Sequence, residues 1–221
     1  MTEIVLGIDT CVQVSVGLAD GEKILASLTV GDSRSHLELL TPTIKQVIAS
    51  AEIELADLSR IIVGVGPGPF TGLRVGIATA RALGLALALP VSGVCSLDLV
   101  ALAQAGVSES DFLAVIDARR HEVYWASYDR SGLRTDGPFV GSPASLPAFP
   151  VYGPGVEAYP DLANQLTRST TIDAGLLASA WQRLPDVGLE PLYLRQPDAE
   201  LPSTRKSTIQ AGRVPLTKDL V

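Results

Sequence analysis

The run Gly64-Val-Gly-Pro-Gly-Pro-Phe-Thr-Gly-Leu-Arg-Val-Gly76 constrains the fold more than any other part of this chain. Before its glycines lie residues 61–65, a continuous apolar stretch of the kind that forms a strand buried on both faces. After them comes a helix expected over 71–87, crowded with Gly, Ala and Leu. A buried strand that turns through glycines into a long helix is the first half of a parallel crossover, because parallel strands need a covering helix between them. The chain must therefore be organised around a sheet with helices on its faces.

The flanking patterns complete that sheet. Residues 4–9, 12–19 and 23–29 read as three strands, the last two joined at Asp20-Gly21, a hairpin signal. The period then changes to three and four: Leu37, Leu40, Ile44, Val47, Ile48 and Ala51 form the apolar stripe of a helix. Ser35 and Glu38 supply its capping box, and Pro42 inside it is expected to kink or distort the first turns. A strand at 90–95 and a helix at 96–104 follow the long helix, giving the order βββαβαβα, that of a ribonuclease-H-like fold. Strands at 112–117, 122–128 and about 133–140 then make a second meander, which reads as a diverged repeat. A short strand at Val151-Tyr-Gly, a helix at 174–184 ending before Pro185, and Leu192-Tyr-Leu close the ordered part. The expected division is an N-terminal subdomain at 1–104, a C-terminal one at 105–195 and a flexible tail at 196–221, where polar residues lose all periodicity.

Composition excludes several functions. A net charge of −7 argues against a dedicated nucleic-acid binder, which needs a basic footprint, so any RNA role is expected to run through a partner. The N-terminus lacks the pattern of a secretory signal, so the cytoplasm is the expected location. Cys11 and Cys95 are isolated in apolar surroundings and read as buried thiols. The hydrophobic window at 75–95 invites comparison with a membrane span, but Arg74, Arg81 and Pro90 favour a buried helix followed by a strand.

The candidate chemistry is thin. The glycine loop resembles a phosphate loop, yet Leu73 stands where a Walker lysine would act, and Pro67 and Pro69 cannot donate N–H bonds. A tight strand-to-helix turn is the favoured reading over an anion site. Asp9-Thr10, ending the first strand, has the groups to orient a magnesium-bound phosphate, or else forms only a turn. Asp117, Arg119, His121 and Glu122 occupy the equivalent hairpin of the second half, where a solvated turn or structural ion pair is favoured over catalysis. His36 and His121 have no metal-ligand spacing, and no G-x-S-x-G elbow occurs. In the long helix, Gly72, Gly76, Ala80, Gly84 and Ala88 form a ridge of small residues while leucines and valines cover most of the remainder. A helix apolar all round has to be buried all round, so a subunit interface is favoured over burial within one chain.

Gly7-Ile-Asp-Thr, Ser35-His-Leu-Glu-Leu-Leu-Thr-Pro, the Gly66-Pro-Gly-Pro-Phe-Thr-Gly-Leu-Arg-Val-Gly run, Ile116-Asp-Ala-Arg with Glu122-Val-Tyr-Trp, and Pro191-Leu-Tyr-Leu-Arg together resemble the TsaB (YeaZ) family. The likeness spans residues 4 to about 197, and Pro69 departs from the serine usual in that family. It implies the duplicated ribonuclease-H-like α/β fold of the actin, sugar-kinase and Hsp70 superfamily, with mixed sheets. It also implies a non-catalytic partner of TsaD in making N6-threonylcarbamoyladenosine on tRNAs that read codons beginning with A. A TsaE-like ATPase would join the larger complex, a homodimer would be the alternative assembly, and tRNA would be met only indirectly. No intrinsic cofactor is implied; ATP or ADP with magnesium would enter with the complex. The family's contact helices map here onto His36, Leu39, Leu40, Thr43, Phe70, Thr71, Arg74, Val75, Ala78 and Arg81. The rival reading is an active ATPase or phosphotransferase of the same fold, using Asp9 and Thr10 at the phosphates and Gly153-Pro-Gly155 near the base.

Overall fold

The computed structural model describes residues 3–31, 36–156, 159, 162, 167–168 and 170–195. Ser35 of the expected capping box and the expected tail from 196 lie outside the described residues. Strands β1 (Ile4–Asp9), β2 (Val14–Asp20) and β3 (Lys23–Val30) form an antiparallel meander. After helix α1 (His36–Ser50), strand β4 (Leu58–Gly64) pairs parallel to β1. Helix α2 (Phe70–Leu87) then crosses to β5 (Val91–Val94), which pairs parallel to β4. The sheet order is β3-β2-β1-β4-β5.

The second half repeats this plan. After α3 (Ser96–Leu102), strands β6 (Phe112–Asp117), β7 (Val123–Tyr128) and β8 (Arg134–Gly141) make the antiparallel meander. Strands β9 (Val151–Tyr152) and β10 (Thr167–Arg168) add in parallel on the other side of β6. Read from β8, the order is β8-β7-β6-β9-β10, which matches the first sheet strand for strand. The duplicated ribonuclease-H-like architecture is thus visible in the hydrogen-bond ladders themselves. Edge strand β10 carries no sequence signal long enough to read; the second strand begins at Val14 rather than at residue 12.

The halves exchange helices. α3 packs on β6 and β7 of the second sheet, and α4 (Ala174–Ala180) packs on β1, β2 and β3 of the first. Gly7 and Gly17 face each other across β1 and β2, and α4 comes down onto both. A Cβ on Gly7 would stand 2.3 Å from the Ala174 carbonyl oxygen, and one on Gly17 2.2 Å from the Gly175 nitrogen. Only glycines permit so close a backbone approach. Asp173 caps α4 by accepting from the Gly175 N–H at 2.8 Å. The expected helix at 174–184 is in fact shorter: a 3-10 turn, Trp181–Arg183, replaces its last part, and the Arg60 guanidinium lies 4.4 Å from the Trp181 ring. One apolar core runs through both sheets, from Leu6, Ile8, Ile61 and Leu73 to Phe112, Tyr128 and Leu177.

α1 is helical straight through Pro42. Its stripe of Leu40, Ile44, Val47 and Ile48 is buried, whereas Leu37, assigned to the same stripe by periodicity, is 77% exposed.

Candidate partner-binding face and the covered Asp9-Thr10 turn

The glycine loop is seated on the turn between β1 and β2. Val65 N–H donates to the Val94 carbonyl and Ser96 N–H to the Gly66 carbonyl, fixing the loop between β5 and α3. A Cβ on Gly68 would lie 2.8 Å from Cys11 Cβ, and one on Gly72 2.5 Å from the Thr10 carbonyl oxygen. Thr10 Oγ1 donates to the Gly72 carbonyl at 2.8 Å, and a Cβ on Gly76 would stand 2.3 Å from that Oγ1. The small-residue ridge of α2 is therefore filled by its own chain: Gly72, Gly76, Ala80 and Gly84 all face inward. Ala88, the last residue of the expected ridge, is exposed at the helix C-cap.

Asp9 is closed off with Thr10. Both are buried; Asp9 Oδ2 accepts from Ser96 Oγ at 2.6 Å and Oδ1 from the Cys11 N–H at 2.8 Å. Burial pushes the Asp9 carboxyl above the usual carboxylate range, against these hydrogen bonds and the nearby His36, which lower it. Burial also raises the Cys11 thiol well above its ordinary value and Cys95 to about 12, so both thiols are protonated and inert. A carboxylate covered on both oxygens does not fit a magnesium-bound phosphate. Among the described residues no group of three or more His, Cys, Asp or Glu side chains stands together in a metal-binding arrangement.

The second hairpin turn is braced. Arg119 N–H donates to Asp117 Oδ1 at 2.8 Å, the Tyr159 hydroxyl lies 2.8 Å from the same oxygen, and Arg195 pairs with Glu122. Arg195 also donates to the Ala118 carbonyl at 3.0 Å. These contacts hold Arg119, Arg120 and His121 in the left-handed region, at φ 63°, 56° and 59°. Asp117, Arg119 and Glu122 thus serve the turn's ion pairs. Gly153 and Gly155 press onto β6, where a Cβ would meet the Val115 carbonyl oxygen at 2.0 Å and the Asp117 nitrogen at 2.6 Å.

What α2 leaves open is its other side. Thr71, Arg74, Ala78, Arg81, Ala82 and Ala86 are exposed, and Leu85 is 87% exposed. By length and composition α2 could cross a membrane, but its glycine side is already packed on β1 and β4. Between α1 and α2 runs a groove of 340 Å³ lined by Leu37, Thr71, Arg74, Val75, Ala78 and Thr79. Thr79 is shared with a second groove of 400 Å³, where Ile44, Ile48, Ile53, Leu55 and Leu83 make the walls apolar. Of the residues mapped onto this face, Thr71, Arg74, Ala78 and Arg81 are exposed and Phe70, Val75 and Leu39 half-buried. His36, Leu40 and Thr43 face inward instead: Leu40 lies in the core, Thr43 Oγ1 donates to the Leu39 carbonyl, and the His36 ring lies against Gly72. In this chain the surface is therefore carried by Leu37 and by the outer side of α2.

A family model described as TsaD, tRNA N6-adenosine threonylcarbamoyltransferase, matches residues 29–165. The chain is 30% identical over 208 residues to the Escherichia coli K12 tRNA threonylcarbamoyladenosine biosynthesis protein TsaB, covering 90% of this chain and 81% of that protein. The chain belongs to the TsaB (YeaZ) family. This TsaB-family chain is also 43% identical over 203 residues to an uncharacterized protein of Mycobacterium tuberculosis H37Rv, spanning 93% of it. It matches a longer Mycobacterium leprae protein at 44% identity but spans only 56% of that protein's length. A Pseudomonas aeruginosa crystal structure, of a protein with similarity to peptidase YeaZ, superposes with a TM-score of 0.68 at 27% identity. That likeness covers 87% of this chain and 100% of that one.

Proposed function

We propose that this chain acts in tRNA threonylcarbamoyladenosine biosynthesis as a non-catalytic partner of a TsaD-type protein, docking through the outer side of α2 and the adjoining end of α1. The observation that carries this reading is the seating of Gly68, Gly72 and Gly76 directly on Thr10-Cys11. It leaves Asp9 and Thr10 covered, while a groove on the outer side of α2 stays open. The same seating weighs against the ATPase or phosphotransferase reading. The names of the relatives and the TsaD-type family model support the pathway; the modified tRNAs would be those reading codons that begin with A, and a TsaE-type ATPase would complete the assembly. Homodimerisation through the same groove is the competing assembly in the absence of that partner.

Ala78→Glu tests the face. Ala78 is exposed in the middle of the groove, so a carboxylate there leaves the fold intact but must be desolvated on docking. Loss of co-purification with the TsaD-type protein, at unchanged melting temperature, is the expected result; retention would refute the face. Calorimetry with ATP and magnesium on the isolated chain is expected to be silent, and micromolar binding with turnover would restore the enzyme reading.

A further inference from the structure

The Pro191-Leu-Tyr-Leu-Arg motif adds no strand to either sheet, and only its last residue, Arg195, braces the second hairpin turn. It belongs to residues 186–195, an aperiodic segment that returns from the 3-10 turn after α4 and crosses the first half beside α2. Val187 N–H donates to the Gly93 carbonyl and Leu192 N–H to the Val65 carbonyl, so the strap is held by the ends of β4 and β5. Leu189, Leu192 and Leu194 pack against the core. Its outward side chains engage α2. Arg74 Nε donates to the Tyr193 hydroxyl at 2.8 Å, and the Tyr193 ring lies 4.6 Å from that of Phe70. Arg81 donates to the Leu189 carbonyl at 3.0 Å and pairs with Glu190 at 2.9 Å.

We infer that this strap is the third element of the partner-binding face, and that Tyr193 is a positioning residue that sets Arg74 at the edge of the docking groove. The inference rests on the docking face proposed above. Arg74 and Arg81 lie seven residues apart, on one flank of α2. Both are held by the strap, and Arg74 lines the docking groove beside Val75 and Ala78. An untethered arginine beside small apolar residues lays its stem across them, and docking then has to displace it and order it at once. Tethered, the two arginines are already ordered and stand as a preorganised polar rim. The partner that fits presents an apolar helix face to the groove and a carboxylate or carbonyl acceptor to the exposed guanidinium of Arg74.

Tyr193→Phe keeps the ring on Phe70 and removes only the hydroxyl. Titration calorimetry of the full chain with the TsaD-type partner is expected to show binding weakened about fivefold, the usual consequence of losing one hydrogen bond, with the melting temperature lowered by no more than about 2–4 °C. Arg74→Ala is expected to weaken binding at least as much, and the double variant no further than Arg74→Ala alone, since the hydroxyl acts only through the guanidinium. Wild-type affinity for Tyr193→Phe, or losses that simply add, would overturn the inference. Glu190→Gln offers an independent readout at Arg81, with a smaller loss expected because that pair is exposed. If Ala78→Glu also binds normally, the docking face itself is wrong; if Ala78→Glu abolishes binding and Tyr193→Phe does not weaken it, only the role of the strap fails.

Discussion

Gly76→Ala separates the inner side of α2 from its outer side. The new methyl would arrive 2.3 Å from Thr10 Oγ1 and 3.4 Å from both Thr10 Cβ and Cγ2. Rotating Thr10 does not help, because the hydroxyl is fully buried and already donates to the Gly72 carbonyl. Either α2 lifts off β1 or that hydrogen bond breaks. Overpacking a core costs about 1–3 kcal/mol and a buried polar group left unpaired about 1–3 kcal/mol, while alanine's better helix propensity returns about 1 kcal/mol. The expected net loss is about 3 kcal/mol, which for a chain of this size lowers the melting temperature by roughly 6–12 °C. Urea unfolding followed by circular dichroism reads the same quantity. Ala78→Leu, two residues on and facing solvent, is the control and is expected to change stability by less than about 0.5 kcal/mol. An unchanged or raised melting temperature for Gly76→Ala would refute the seating of α2 on Thr10, and with it the argument that α2 covers the Asp9-Thr10 turn.

Two further outcomes follow from the buried carboxylates. Asp9 has a raised pKa in the folded chain, so its protonated form is the one the fold favours: the stability it contributes is present below the ordinary value of 3.8 and is lost as pH rises through the folded pKa. Asp9→Asn is expected to flatten that part of the stability profile and to leave binding of the TsaD-type partner intact; a variant that folds but no longer binds would reinstate a ligand role for Asp9. Asp98 joins α3 to the second sheet, accepting from the Tyr128 hydroxyl at 2.7 Å and from Arg134 Nη2 at 3.3 Å. Arg134→Met strands that carboxylate and is expected to cost about 2–3 kcal/mol, the low side of a broken buried pair because Arg134 is 23% exposed. Burial already raises the Asp98 pKa, so the loss should shrink in urea titrations at about pH 5 relative to neutral pH; a loss that grows on acidification would refute the assignment.

The two meanders and their crossovers were legible because each strand is a run of apolar or alternating residues bounded by turn chemistry. Side-chain periodicity reports burial of methyl groups, however, and is blind to contacts made by backbone. Gly72 and Gly76 announced a close approach without saying to what; the answer, Thr10, lies over sixty residues earlier. Leu37 shares the period of the buried α1 stripe, so the pattern placed it in the core, although it sits in the first turn beside the groove. Strap 186–195 is anchored by N–H bonds to the carbonyls of Gly93 and Val65, contacts that leave no signature in residue type. β10 is too short to show a period, and the exchange of α3 and α4 between sheets is a property of topology, which no local window can register.

The covered Asp9-Thr10 turn and the proposed docking face are two sides of one arrangement. Drawing the first turns of α2 onto Thr10-Cys11 needs glycine at 68, 72 and 76, since a side chain at any of them would meet the turn. An anion bound between loop and turn would have to hold them apart, and α2 would then ride higher on the sheet. With the gap closed, the helix has its ridge against β1, and the leucine and alanines on its opposite side have no counterpart within the described chain. Leu37, in the wall of the groove, and Leu85 on the adjoining helix are each exposed by more than three quarters and are costly to leave in water. The glycines that seat α2 on Thr10-Cys11 are therefore the same residues that fix which side of α2 faces outward, the side proposed to meet a partner.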